Sequence, residues 1–329
     1  MEKLTFSGSP HIRGNSTTSK IMIDVCIALL PACIVGCVFF GWYALLVLMI
    51  SLLSAVAAEF AYNLTINKKS FRSCVESFDF TSCVTGLLIG MNMPPQIDWY
   101  VPLLSSVFAI VVVKMLFGGT GKNLFNPAIA GRIFAFLSFS AAMTKASNFA
   151  SGSIVLQAGA TPLTEFLNNG TLGETTLLQM FLGNIPGCIG ETSALALLIG
   201  GIYLAVRKVI DIKLPLIMIA AAGLTCVVIN GFDFGVFLPN ILGGGLVLGA
   251  VFMATDYVTT PNTKTGRLIY FLLLGILVGV LRYSKTSDKI EAVSFAILIM
   301  NITVPLFDRY IVNRPFGYVK KKKKEAKAK

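Results

Sequence analysis

"IMIDVCIALLPACIVGCVFFGWY", residues 21–43, carries a single charged side chain, Asp24. An α-helix rises about 1.5 Å per residue, so a run this long reaches across the ~30 Å hydrocarbon core of a bilayer. Comparable apolar stretches recur at about 44–62, 80–93, 99–117, 124–143, 191–206, 214–230, 235–254, 268–283 and 292–312. In lipid a helix satisfies its own backbone hydrogen bonds, which makes helices the natural reading of such runs. The pattern predicts an all-α polytopic membrane protein of about ten transmembrane helices. Composition agrees: of 329 residues, 55% are hydrophobic and only 13% charged, and mean hydropathy is +0.78. A soluble chain carries about 25% charged residues. The polar "MEKLTFSGSPHIRGNSTTSK" precedes the first run, and no small-residue cleavage pattern directly follows that run, so the start does not read as a cleavable signal.

Lysine and arginine set the expected orientation. With the N-terminus in the cytoplasm, the inner connections hold Lys3, Arg13, Lys20, Lys68, Lys69, Arg72, Lys122, Arg207, Lys208, Lys213, Lys264, Arg267, Arg309, Arg314 and the lysine tail "KKKKKEAKAK" (320–329). Only Lys145, Arg282, Lys285 and Lys289 fall outside, while Lys114 and Arg132 lie within apolar segments. Both termini are therefore expected in the cytoplasm, with an even number of spans. The chain divides into an N-terminal arm (1–20), a first five-helix half (21–143), a long extracytoplasmic loop (144–190), a second five-helix half (191–312) and a tail (313–329). Two halves with an odd number of spans would run in opposite directions, as inverted repeats do. "DFTSCVTGLLIGMNMPP" (79–95) is short and ends in Asn92 and a proline pair. "FLPNILGGGLVLGAVFMATDYVTTP" (237–261) is glycine-rich and also runs out to a proline. Interrupted spans in corresponding positions point to broken helices around a midplane site.

Several function classes find no support. The net charge of +11 is concentrated in the tail and reads as a topology signal and solvated end, not as a nucleic-acid surface. The seven cysteines form no CxxC pair, and no metal-ligand spacing is present. The only histidine, His11, lies in the N-terminal arm, which argues against a Ser-His triad. No paired-carboxylate or nucleophile constellation is evident. Asp24, Glu59, Asp79 and Asp98 fall at or near span ends and read mainly as interface or capping residues.

Two inner stretches are too polar and glycine-rich for simple connectors. "KMLFGGTGKNLFNPAIAGR" (114–132) sets Asn123 and Asn126 before a span that opens on Pro127. Such a helix start suits an anion or the edge of a heterocycle, and equally a capped re-entry loop. Its "GGTGKN" lacks the spacing of a Walker A motif. "ATDYVTTPNTKTGR" (254–267) places Asp256 at a span end, where a carboxylate is a candidate for a cation or proton. It could also cap the helix or pair with Arg267 or Lys264. Arg132, eight residues into its apolar segment, could snorkel to the inner surface or pair with an anionic ligand.

"SPHIRGNSTTSKIMIDVCIALLPA" (9–32), "TGLLIGMNMPP" (85–95), "FGGTGKNLFNPAIAGR" (117–132), "AGATPL" (158–163) and "TDYVTTP" (255–261) resemble a known family. It comprises the RnfD subunit of the Rnf ion-translocating electron-transport complex and the NqrB subunit of the sodium-translocating NADH:quinone reductase. The likeness runs nearly end to end and in order, and the short arm with its "SPH" favours the Rnf branch. The resemblance implies a covalent FMN, joined by a phosphoester to a threonine and attached by a separate flavin transferase. Thr161 stands at that position, with Gly159 and Ala160 beside it. Ala158 replaces the family's usual serine, and Val155 stands where an aspartate is usual. Small neighbours would let the hydroxyl of Thr161 enter another enzyme's active site. On the residues alone Thr161 is an ordinary turn residue before a proline.

The resemblance also implies a second, non-covalent flavin, riboflavin or FMN, nearer the inner side. Asn123, Asn126 and Arg132 are the candidates to hold it, and Asp256 is the candidate site for a coupling ion, Na⁺ or H⁺. It further implies an architecture like that of urea transporters. The partners would be the other Rnf membrane subunits, a second FMN-bearing subunit, and subunits that bind NAD and ferredoxin. The chain itself holds no NAD fingerprint and no ferredoxin-type cysteine cluster, so it would form part of a translocating ferredoxin:NAD⁺ oxidoreductase in the bacterial inner membrane. The competing reading is a solute channel or transporter without a redox role, which would have no need of the "AGATPL" loop. A purely structural anchor is a third reading.

Overall fold

The computed structural model describes residues 17–144, 149–151, 154–156, 162–169, 172, 175–284 and 291–313. Helices dominate. α1 (Thr18–Phe40) is capped by Thr17, whose side chain accepts from Lys20 N, and a single residue, Gly41, separates it from α2 (Trp42–Thr65). The short α3 (Phe71–Glu76) lies between α2 and α4 (Thr81–Met91). α4 stops at Asn92, whose Nδ2 turns back on Leu88 O at 2.6 Å just before Pro94 and Pro95. α5 (Tyr100–Phe108) continues as a π-helical stretch, Ala109–Met115. α6 (Pro127–Ser138) begins with a proline at its first turn and is followed by the brief α7 (Ser140–Met143).

The connection expected as a long exposed loop is partly built into the protein. It contains an antiparallel hairpin, β1 (Phe149–Ser151) and β2 (Ile154–Leu156), with Phe149 opposite Leu156. It also holds α8 (Pro162–Asn169) and α9 (Leu177–Leu182), the latter opened by a Thr176–Gln179 capping box. Its end dips into the core, where Ile189 N donates to Met93 O and Gly190 N to Met91 O. Leu163, Met180 and Ile189 are essentially unexposed. The hairpin qualifies the all-α expectation. Apolar periodicity does not register strands of three residues.

The C-terminal part holds α10 (Ala194–Val206), α11 (Lys213–Ile229), α12 (Phe237–Leu242), α13 (Leu246–Leu248, continued by a π-helical stretch to Met253), α14 (Lys264–Arg282) and α15 (Ala292–Tyr310). Among the described residues, α1, α2, α14 and α15 are long and apolar enough to cross a membrane. The pair Phe234–Leu242 and Leu246–Met253, bent by 68°, makes a fifth if counted as one span. Thr81–Met91, Tyr100–Met115, Pro127–Ser138, Ala194–Val206 and Lys213–Ile229 are shorter apolar helices. Together these features describe a multi-pass membrane protein. The bend falls at Gly243–Gly245, where the sequence pattern predicted a broken helix.

Without a hydrophobic drive between helices in lipid, close backbone approach has to hold them together. α1 crosses α10 where a side chain on Gly200 would strike Ala28 O at 2.1 Å. α11 meets α14 where a Cβ on Gly275 would fall 2.4 Å from Met218 O. One contiguous core joins Leu29, Ile89 and Ile129 to Leu248, Phe271 and Ile297. Residues 21–143 and 191–312 therefore share their interior.

Candidate functional site

Three residues singled out in the sequence, Asn123, Asn126 and Asp256, meet at one cleft. It encloses about 800 Å³ of non-protein space, part of it open to solvent. The starts of α1 and α4 supply Met22, Val25, Val84 and Leu88; the end of α10 and the residues after it supply Leu204, Val209 and Ile210; α13 supplies Val251 and Phe252. Polar groups converge on these apolar walls: Thr81, Thr85, Lys114, Thr120, Asn123, Thr255 and Asp256. A largely apolar pocket with a few placed polar groups is the usual form of a small-molecule site.

The two asparagines do different work. Asn126 caps α6, its Oδ1 accepting from Ala128 N at 3.0 Å while its Nδ2 donates to Met253 O at 3.0 Å. Its amide is spent on holding α6 against α13. Asn123 donates to Phe125 O at 2.8 Å, which leaves its carbonyl oxygen for the cleft. Asp256 closes its own turn, accepting from Val258 N at 3.4 Å and Thr259 Oγ1 at 3.2 Å. Arg267 does not pair with it; its Nε donates instead to Pro261 O at 2.8 Å. Among the described residues no three His, Cys, Asp or Glu side chains gather as a metal site, so an ion at Asp256 would depend on hydroxyl and carbonyl oxygens.

Lys114, in the π-helical stretch after α5, forms the cleft's charged wall. Its Nζ lies 3.0 Å from both carboxylate oxygens of Glu59 and 2.5 Å from Thr81 Oγ1. Asp79 Oδ1 is 4.0 Å away. Glu59 is thus the counter-ion of a buried lysine and not an interface residue. Asp79 does cap: it accepts from Thr81 N at 3.1 Å, and from Thr120 Oγ1 at 2.6 Å. Burial alone would raise the Asp79 carboxyl, but the hydrogen bonds from Thr120 and Thr81 and the charge of Lys114 hold it below the usual carboxylate range. Asp24 pairs with Arg207 at 3.2 Å and accepts from Tyr203 Oη at 3.1 Å.

Arg132 is outside this cleft and does not snorkel, being 3% exposed. It is gripped by two carboxylates. Its Nε and Nη2 fork onto Glu291 at 2.7 and 2.8 Å, while Nη1 reaches both Glu191 and Asn92 Oδ1. The guanidinium is taken up by protein groups. Arg282, expected outside, is likewise buried, donating to Asn240 O and Gly243 O at the helix break. The sequence pattern did not mark Glu191 and Glu291. A signal was present: a lone arginine within an apolar segment demands a buried partner, and both glutamates immediately precede apolar runs.

A smaller pocket, with about 410 Å³ of non-protein space that is partly open solvent, lies by this cluster, lined by Pro162, Leu163, Met180, Cys188, Glu191, Thr192, Gly243 and Gly244 among others. Glu191 precedes α10, whereas Leu204 of the cleft lies near that helix's far end. The two cavities are thus separated by most of a helix roughly 20 Å long. Thr161, Gly159, Ala160 and Ala158 lie outside the described residues, but Pro162 places their neighbour at the smaller pocket. All seven cysteines are free thiols.

Compared with known proteins, residues 5–317 match the NQR2, RnfD, RnfE family. The chain is 38% identical to the D subunit of the Na(+)-translocating ferredoxin:NAD(+) oxidoreductase complex of Acetobacterium woodii, over 99% of this chain and 98% of that protein. It is 37% identical to the D subunit of the proton-translocating ferredoxin:NAD(+) oxidoreductase complex of Clostridium ljungdahlii, over 95% and 96%. It is 35% identical to the D subunit of an ion-translocating oxidoreductase complex of Stutzerimonas stutzeri, over 92% and 93%.

Proposed function

The chain belongs to the NQR2, RnfD, RnfE family, and on that footing we propose that it is the flavin-bearing membrane subunit of an ion-translocating ferredoxin:NAD⁺ oxidoreductase. The observation that carries this reading is near full-length similarity to the D subunits of such complexes. The chain would sit in the cytoplasmic membrane among the other Rnf subunits, both termini inside, as its lysines and arginines favour. Ten spans in two inverted halves accord with the paired interruptions at Asn92 and Gly243–Gly245. The relatives named for Na⁺ and for protons are almost equally similar, so identity does not select the coupling ion.

FMN is proposed on Thr161 through a phosphoester to its hydroxyl, attached by a flavin transferase that reaches past Gly159 and Ala160. A second flavin, FMN or riboflavin, is proposed for the cleft. The fit is supported by apolar walls, a free Asn123 carbonyl and the polar rim of Thr85, Thr120 and Lys114. Asn126 would act at one remove, by fixing α6 against α13, and Asp256 would serve the coupling ion. When bound, a flavin supplies one- and two-electron redox chemistry. The protein's own part is to orient the ring, exclude bulk water and fix the local charge. A solute channel finds less support, because it would have no need of the "AGATPL" loop.

The test is mass spectrometry of the Thr161 peptide from chain co-expressed with its transferase, together with in-gel flavin fluorescence after denaturation. An added mass of one FMN on Thr161, lost in Thr161→Val, is expected. An unmodified peptide from flavin-replete cells would overturn the assignment.

A further inference from the structure

We propose that Glu191 is a proton-exchanging carboxyl, loaded and unloaded through the smaller pocket, with Glu291 as the fixed counter-ion of Arg132. The inference does not depend on any flavin assignment.

Charge balance comes first. Arg132 contacts two carboxylates, and the side chains of Arg132, Glu191 and Glu291 are 3%, 6% and 5% exposed. Among the described residues the other buried cation nearby, Arg282 at the end of α14, directs its donors to Asn240 O and Gly243 O. With both glutamates ionised, the three contacting side chains carry a net negative charge, which Arg282, bonded to carbonyls and to no carboxylate among the described residues, offsets only from farther off. Such a charge away from water is costly, and a carboxylate relieves it by taking a proton.

Geometry then separates the two glutamates. Glu291 is saturated: the arginine fork engages both oxygens, and Ser294 Oγ adds a bond to Oε2 at 3.1 Å. Glu191 meets the arginine only through Oε1, and it lines the smaller pocket, as Glu291 does not. Its carboxylate is held in place from below, since the preceding Ile189 and Gly190 are bonded to Met93 O and Met91 O. Space beside it depends on Gly245, where a Cβ would fall 2.6 Å from Glu191 Oε1. Among the described residues the ionisable groups around it are Arg132 from α6, Glu291 at the start of α15, Cys188 on its own loop and, farther off, Arg282. α4 contributes only the uncharged Asn92.

The transfer is simple. A hydronium ion in the pocket gives up a proton: its O–H bond breaks, an O–H bond to a Glu191 carboxylate oxygen forms, a neutral water is left, and the cluster gains one unit of positive charge. Return of the proton to that water reverses the step, and no electrons move. A metal cation would serve poorly, because it would have to sit beside the guanidinium with a single carboxylate to hold it.

The wild-type complex can be tested directly with an apolar carbodiimide, which adds to protonated buried carboxyls, followed by peptide mass spectrometry. Adduct is expected on Glu191 and not on Glu291, its rate rising about tenfold per unit fall in pH until the carboxyl is fully protonated. In infrared difference spectra between acid and neutral pH, a carboxylic C=O band should be lost in Glu191→Gln and shifted in frequency in Glu191→Asp. Glu291→Gln should move its appearance to lower pH, because Glu191 then has the arginine to itself. Labelling of Glu291 in place of Glu191, no labelling of Glu191, or a band indifferent to Glu191→Asp would each overturn the proposal. The last keeps the test decisive if Glu191→Gln does not assemble.

Discussion

Lys114 and Arg132 are equally buried, each 3% exposed, yet they draw their counter-ions from different parts of the chain. Lys114 takes Glu59, Asp79 and Thr81, all from α2, α4 and the turn between them. Its cluster opens on the cleft, and Asp79 is 22% exposed. Arg132 takes Glu191 and Glu291 from the residues that lead into α10 and α15. The first cluster braces one wall of a cavity. The second ties the N-terminal helices to the C-terminal ones, beside the smaller of the two pockets. The same chemistry thus serves local shape in one region and global assembly in the other.

Arg132→Ala is the severest way to probe this contrast. It strands two buried carboxylates, and removing one partner of a buried ion pair typically costs about 3–5 kcal/mol. A large fall in the detergent-solubilised unfolding midpoint is expected, or failure to accumulate folded protein. Because well-packed apolar replacement of a whole buried cluster is often neutral, Arg132→Met with Glu191→Gln and Glu291→Gln should recover much of the loss. Absence of any recovery would show that shape, and not charge, makes Arg132 necessary.

Lys114→Ala should cost less, about 1–3 kcal/mol, because Thr81 and Thr120, bonded to Lys114 and Asp79, line a cleft that water can enter. Lys114→Met with Glu59→Gln should restore most of it. Equal losses for Lys114→Ala and Arg132→Ala, compared in one thermal-unfolding series, would erase the distinction between local and global clusters.

The sequence exposed one side of each pair. A lone lysine and a lone arginine in apolar runs stand out, but a glutamate at a run's edge looks the same whether it faces water or folds inward. Glu191 folds inward only because Ile189 and Gly190 bond to the end of α4, a contact between residues some hundred positions apart that no local pattern encodes. α1, α2, α14 and α15 were legible because each is apolar over a membrane's thickness, and the break at Gly243–Gly245 because three glycines interrupt a helix. Asn126 was ambiguous for a physical reason. An asparagine before Pro127 is as good a cap as a ligand, and choosing between them required seeing Met253 O across the core. Arg282 gave no sign of its burial, since carbonyls freed by a helix break can hold a buried guanidinium without any carboxylate.

The gentlest perturbation sharpens the comparison at the cleft. Thr120, on the glycine-rich turn before α6, donates to Asp79 Oδ2, and that bond helps keep the Asp79 carboxyl below its ordinary range. A carboxyl lowered in the folded state adds stability that is present above its unfolded pKa of about 3.9 and is lost as pH falls through the lower folded value. Thr120→Val should therefore lower the unfolding midpoint slightly at about pH 7, and the gap from wild type should narrow toward about pH 3. The Arg132 cluster, which Thr120 does not touch, should leave Glu191 labelling by carbodiimide unchanged in the same variant. A gap constant across that pH range would mean that Thr120 acts by packing the turn. Altered Glu191 labelling would mean that the two buried cations are coupled across the core and do not act as separate devices.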